Sequence, residues 1–81
     1  MNFEETIQSL KEGYKVSHPS IKDGQHITYD SDNIYTRWSN IEQCSRLEEW
    51  QAYDFIRDYN IPQFDSMWYI ILDERGYLTK D

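Results

Sequence analysis

"HITYDSDNIYTRWS", residues His26 to Ser39, decides how this chain folds. Two runs of β-branched and aromatic residues flank "DSDN", whose composition is that of a turn. The stretch reads as a β-hairpin with strands at about Gln25–Tyr29 and Ile34–Trp38. Loop length then sets which side chains share a face, because strand side chains alternate. With a two- or four-residue loop, Ile27, Tyr29, Ile34, Thr36 and Trp38 fall on one side. His26, Thr28, Asp30, Tyr35 and Arg37 then fall on the other. A three-residue loop would mix the two sets and bury Arg37 with Ile27, so the even loop is expected. The first face is then core, and the second, with His26, Thr28, Tyr35 and Arg37, is the candidate working surface.

Upstream, "NFEETIQSLKEG" predicts a helix over about Phe3–Glu12. Asn2 can cap its first turn, with Glu5 three residues on as in a capping box. Phe3, Ile7 and Leu10 recur at helical spacing, and Gly13 suits the left-handed residue that ends the helix. "YKVSH" then reads as a short strand with Tyr14, Val16 and His18 on one face, stopped by Pro19. "PSIKDG" is a loop with Asp23-Gly24 as its turn signal.

Downstream, "SNIE" is a second capping box, with Ser39 as N-cap and Glu42 three on. Cys44, Leu47, Ala52, Phe55, Ile56 and Tyr59 trace an apolar stripe flanked by Trp50 and Tyr53. A helix is expected from about Ile41 to Asp58, with a break near Ser45 as the alternative, where "SRLE" offers another cap. Asn60 and Pro62 stop it. "MWYIIL" is apolar on both faces and reads as a central strand, with Trp68 as a core anchor. "DERG" is a turn with Gly76 at its left-handed position, and "YLT" returns as a last strand. The expected order is α-β-β-β-α-β-β, an α+β domain with a mainly antiparallel sheet packed against helices.

Eighty-one residues suffice for one domain, residues 1–81. A chain this short hides only roughly 60–65% of its unfolded surface; many chains of this size gain burial by self-association into a homo-oligomer, which length alone leaves open. Aromatic content is high at 16% and seven of those residues are Tyr, a residue favoured at interfaces and in ligand pockets. Net charge is −7, from 15 acidic and 8 basic residues. Phosphate contacts demand the opposite balance, which argues against direct binding to nucleic acid or to anionic membranes. Acidity suits simple solubility, or imitation of a nucleic acid toward a basic partner.

Cys44 stands alone, so no internal disulfide can form, which fits a reducing, cytoplasmic setting. In the helical pattern it reads as a small core residue. No apolar run reaches the ~18 residues that a membrane span needs. The acidic, periodic start is unlike a signal peptide. His18, His26 and Cys44 have no metal-ligand spacing, and no glycine-rich phosphate loop is present, so no metal and no cofactor are expected. Fifteen carboxylates allow any acid–base pair to be proposed and single out none. An enzyme is not the expectation.

Three stretches resemble one family. "MNFEETIQSLKEGYKVSHPSI" is similar to the opening of the sponge-type Thoeris anti-defence proteins of phages, with Phe3, Leu10, Gly13, Lys15 and Val16 as the matching positions. The hairpin ending in Trp38 is similar too. "DSMWYII", Asp65 to Ile71, resembles the family's Asp-x-Trp-hydrophobic strand with one residue inserted. A related domain occurs among small anti-CRISPR proteins. The resemblance implies an oligomeric, non-enzymatic phage protein in the host cytoplasm that sequesters a cyclic nucleotide or cyclic ADP-ribose-type immune signal. His18 stands where the family carries a basic residue after the first strand, in the loop where ligand contacts are expected. On the hairpin, Tyr35 can stack a base, Arg37 can pair a pyrophosphate, and Thr28 and His26 can hydrogen-bond. The same residues also suit an ordinary solvated cross-strand set.

A rival expectation is an acidic inhibitor that occludes the nucleic-acid site of a basic host defence protein such as a nuclease. It draws on the net charge and on Glu48, Glu49, Asp54 and Asp58, read as exposed helix positions. A plain subunit without a ligand is the background to both.

Overall fold

Asn2 opens the first helix as the sequence predicts. Its side chain accepts the Glu5 N–H at 2.7 Å, and the Glu5 carboxylate accepts the Asn2 N–H at 3.0 Å. This reciprocal cap satisfies two of the donors that a helix start leaves orphaned. In the computed structural model of the protein, which describes residues 1–39, 45–72 and 76, the helix α1 runs Phe3–Lys11. Gly13 follows it at φ 97, donating to the Leu10 carbonyl. The remaining elements are β1 (Val16–Ser17), β2 (Gln25–Tyr29), β3 (Ile34–Ser39), β4 (Ser45–Gln51), α2 (Ala52–Tyr59), a 3-10 turn (Pro62–Phe64) and β5 (Tyr69–Ile70).

The five strands form one sheet in the order β4-β3-β2-β1-β5, and every paired neighbour is antiparallel. The fold is α+β with an antiparallel sheet and two helices, as expected. α1 packs on β1 and β2, and α2 packs on β3 and β4. Between helices and sheet lie Leu10, Val16, Ile21, Ile27, Tyr35, Phe55, Tyr59 and Trp68. Aromatic rings dominate this core. Tyr35 and Phe55 stack at 4.1 Å and 10°, Phe55 and Tyr59 at 4.7 Å, and Tyr59 meets Phe64 edge-on at 4.8 Å. Such pairs add about 0.5–1.5 kcal/mol each beyond the area they bury, and in a small core they replace aliphatic bulk.

Three expectations are corrected. The first is the hairpin loop. Tyr29 pairs with Tyr35 and Asp30 donates to the Ile34 carbonyl, so Ser31, Asp32 and Asn33 form a three-residue loop. Asn33 adopts φ 63, the left-handed conformation such loops need at their third position and that Asn tolerates. Asp30 Oδ1 accepts the Asp32 N–H, and Asn33 Oδ1 accepts the Tyr29 hydroxyl. These bonds hold the odd loop in place. The facial sets are therefore mixed: Tyr35 and Arg37 share the helix-covered side with Ile27, and Thr36 and Trp38 join His26 and Thr28 on the opposite side.

The second correction concerns residues 41–58. Among the described residues of this stretch, Ala52–Tyr59 is helical and Ser45–Gln51 is a strand paired along β3. Its Leu, Arg and Glu favour helix, but a ladder to β3 and the docking of Trp50 on Phe55 and Tyr59 override that local preference. The third correction is the place of "MWYIIL". β5 is two residues long and ends the strand order, and the central strand is β2. Trp68 nevertheless is buried, as expected of a core anchor. Gly76 has φ 85, as its turn position predicts. Cys44, the Glu42 cap and the "YLT" strand lie outside the described residues.

Candidate functional site

The side of the sheet away from the helices is built from alternate positions on neighbouring strands. His26 pairs with Trp38, and Trp38 with Arg46; Thr28 pairs with Thr36, and Thr36 with Glu49. On β1, Val16 stands opposite Ile27, so Lys15 and Ser17 flank it on the open side. Arg46 and Glu49 are three residues apart and in a regular strand would point to opposite faces. A bulge prevents this. The register shifts between Arg37 and Trp38, so Leu47 is left as the extra residue and both charges arrive on the open face. There the Arg46 guanidinium donates to the Glu49 carboxylate.

Lys15, His26, Thr28, Thr36, Trp38, Arg46 and Glu49 line a cavity of about 350 Å³, together with Tyr29 and Asp30 at the hairpin end. That volume suits a small molecule, for which sites run roughly 300–1,000 Å³. Its floor is rigid. The Trp38 indole N–H donates to Thr28 Oγ1 at 2.8 Å, fixing the ring. The Arg46 guanidinium lies 5.7 Å from the Trp38 ring centroid, so cation and ring form a layered pair. His26, Thr28 and Thr36 are buried on the floor. Lys15 and Arg46 supply positive charge from opposite margins, and Asp30 and Glu49 supply negative charge. The arrangement offers a flat aromatic and guanidinium surface, hydroxyls, an imidazole and two cations. Among the described residues no group of His, Cys, Asp and Glu gathers as a metal site.

No protein-family model, curated protein or solved structure matches this chain.

Of the residues singled out in the sequence, His26 and Thr28 line the cavity and Tyr35, Arg37 and His18 do not. Tyr35 is fully buried against Phe55, and burial, reinforced by Tyr29, pushes its phenol up to about 12. Arg37 is on the helix side. Its guanidinium lies 6.0 Å from the Trp50 centroid and 3.6 Å from Glu48, and its Nε is buried with no hydrogen-bond partner among the described residues. It also bears on Tyr59, whose phenol is raised mainly by burial against an opposing pull from Arg37.

His18 is a packing residue. Its Nδ1 accepts the Ser20 N–H at 2.9 Å, which leaves Nε2 as the N–H that donates to the Ser66 carbonyl at 2.8 Å. The ring sits between Phe64 at 4.7 Å and Trp68 at 5.1 Å. A ligand would have to break one of its two bonds to use it.

Trp38, Thr36, Tyr29, Lys15, Arg46 and Glu49 are the lining residues that the sequence reading missed. Asn33 was the available signal, since an Asn at the third loop position favours the odd loop. The Leu47 bulge left no such mark. A second hollow of about 450 Å³ beside α1, lined by Phe3, Glu4, Ile7, Gln8 and Asn60, has no cation in its wall. No described helix is long and apolar enough to cross a membrane.

Proposed function

We propose that this protein is a non-catalytic binding protein for a nucleotide-type ligand seated on the open face of its sheet. The observation that carries the proposal is the Trp38–Arg46 layer beside the buried His26, Thr28 and Thr36 in one cavity. A base stacks on a guanidinium plane backed by an indole, and sugar hydroxyls find the threonines and the imidazole. Phosphate is drawn by Arg46 and Lys15. In the setting implied by the sponge-type resemblance, the protein removes a cyclic nucleotide signal from solution.

The acidic-inhibitor reading draws less support from the same geometry. Glu48 faces Arg37, Glu49 holds Arg46, and Asp54 and Asp58 share Arg57 at 3.1 and 3.3 Å. The four carboxylates on which that reading rests therefore present less uncompensated charge than their number suggests.

Isothermal titration with a panel of cyclic nucleotides and cyclic ADP-ribose isomers tests the proposal. Micromolar binding is expected for at least one of them. Arg46→Ala should weaken it by roughly ten- to a hundredfold, the worth of one charge-assisted phosphate contact. Absence of binding across the whole panel at micromolar concentration removes the reading.

A further inference from the structure

We propose that Glu49 competes with a ligand's phosphate for Arg46 in the open-face cavity, which lowers the site's preference for phosphorylated over unphosphorylated nucleosides. The inference rests on the reading of that cavity as a nucleotide site. Arg46 is engaged twice in the free protein, by the Trp38 ring at 5.7 Å and by the Glu49 carboxylate. The ring is tied in turn, because its N–H donates to Thr28 at 2.8 Å. The guanidinium therefore lies over an indole that is itself hydrogen-bonded, while its N–H groups meet a carboxylate that is exchangeable, since both partners are substantially exposed.

Two kinds of ligand meet this arrangement differently. An uncharged nucleoside can stack on the guanidinium plane and leaves the Glu49 pair intact. A phosphate must take over the N–H groups that Glu49 occupies, and it meets the carboxylate as a like charge. Only a ligand whose phosphate interacts with Arg46 better than Glu49 does gains from the exchange. Glu49 is thus an internal competitor for the anion subsite. The Leu47 bulge is what makes it one, because without that extra residue Arg46 and Glu49 would lie on opposite faces. The bulge gives the local geometry a consequence for ligand choice.

The test uses the full chain and three probes: adenosine, adenosine monophosphate and cyclic adenosine monophosphate. Glu49→Gln preserves the shape of the side chain and an acceptor for Arg46, but removes the competing charge. An exposed ion pair is weak, so the expected change is modest: the ratio of nucleotide to adenosine affinity rises roughly fivefold in Glu49→Gln. The rise should shrink as salt increases, since exposed charges are screened. In Glu49→Gln combined with Arg46→Ala the ratio should fall below that of the parent. Nucleotide binding that appears only in Glu49→Gln also supports the proposal. If the parent binds nucleotides and Glu49→Gln leaves the ratio unchanged, or shifts adenosine equally, the role of Glu49 is overturned and the cavity reading stands. If neither protein binds any of the three probes, both are overturned for adenine nucleotides.

Discussion

Ile27 stands directly opposite Arg37 in the β2–β3 ladder, so an arginine shares the helix-covered side of the sheet with a fully buried isoleucine. The pairing exchanges the expected faces of the β3 residues and leaves those of Ile27, His26 and Thr28 on β2 as expected. Arg37 bears on Tyr59 of α2 and on Trp50 and Glu48 of β4. Its Nε remains a buried donor without a partner among the described residues, which carries a cost of about 1–3 kcal/mol. Arg37→Met keeps the stem and removes that donor, at the loss of a partly exposed ion pair worth at most about 1 kcal/mol. Stability in urea should stay within about 1 kcal/mol of the parent or rise, and ligand affinity on the opposite face should not change. A loss above about 2 kcal/mol would show that the guanidinium itself holds the fold.

Trp68 is the anchor between α1, the 3-10 turn and β5. It is 2% exposed, its indole N–H donates to the Phe64 carbonyl at 2.7 Å, and its backbone N–H donates to the Met1 carbonyl. Trp68→Ala removes this volume from a small core and should cost about 3–5 kcal/mol, a large share of a typical total of 5–15. Near-ultraviolet circular dichroism and thermal melting should both report a lost cooperative transition. A variant that melts like the parent would contradict the anchoring role.

Tyr35 gives stability a pH dependence at the alkaline end. Its folded-state value is raised from 10.0 to about 12, by burial first and by Tyr29 second. Above pH 10 the unfolded chain sheds this proton while the folded chain keeps it. The folded state then binds more protons, so stability is full below pH 10 and falls as pH rises toward about 12, by up to roughly 1.4 kcal/mol per unit. Tyr59 is shifted in the same direction. Tyr35→Phe retains the stack on Phe55 and removes one of the two groups, so urea midpoints measured across this window should decline more gently than in the parent. Equal slopes would place Tyr35 in contact with solvent.

Met67 has φ 72 and is 65% exposed, a strained backbone carrying a side chain that packs little. Its neighbours hold it there: the Ser66 carbonyl accepts from His18, and the Trp68 N–H is bound to Met1. The left-handed region costs a side chain roughly 1–2 kcal/mol, and glycine loses about 0.5–1 kcal/mol of that gain to its freer unfolded state. Met67→Gly should therefore stabilise the protein by up to about 1 kcal/mol in chemical denaturation. A destabilised variant would mean that the Met67 side chain contributes packing that outweighs its strain.

The sequence by itself determined α1, because its cap, its apolar spacing and its Gly13 stop act within one or two helical turns. It determined the two hairpin strands and the burial of Trp68 for similar reasons: alternation and apolar density are local quantities. It placed His26 and Thr28 on the candidate surface, and the structure has them lining the cavity. Tertiary structure alone decided the rest. Whether Tyr35 or Trp38 faces the helices turns on one residue in the loop, and the Asn33 conformation that sets it is held by Tyr29 and by an Ala52 N–H from a distant part of the chain. Residues Ser45–Gln51 favour helix locally and become a strand because β3 offers a ladder and Phe55 and Tyr59 offer Trp50 a seat. The Leu47 bulge exists only in the register between two strands. Arg46 and Glu49 could not be seen as neighbours of Trp38 until that register was formed, because pairing between strands, unlike the periodicity within one, leaves no trace in the spacing of a single sequence.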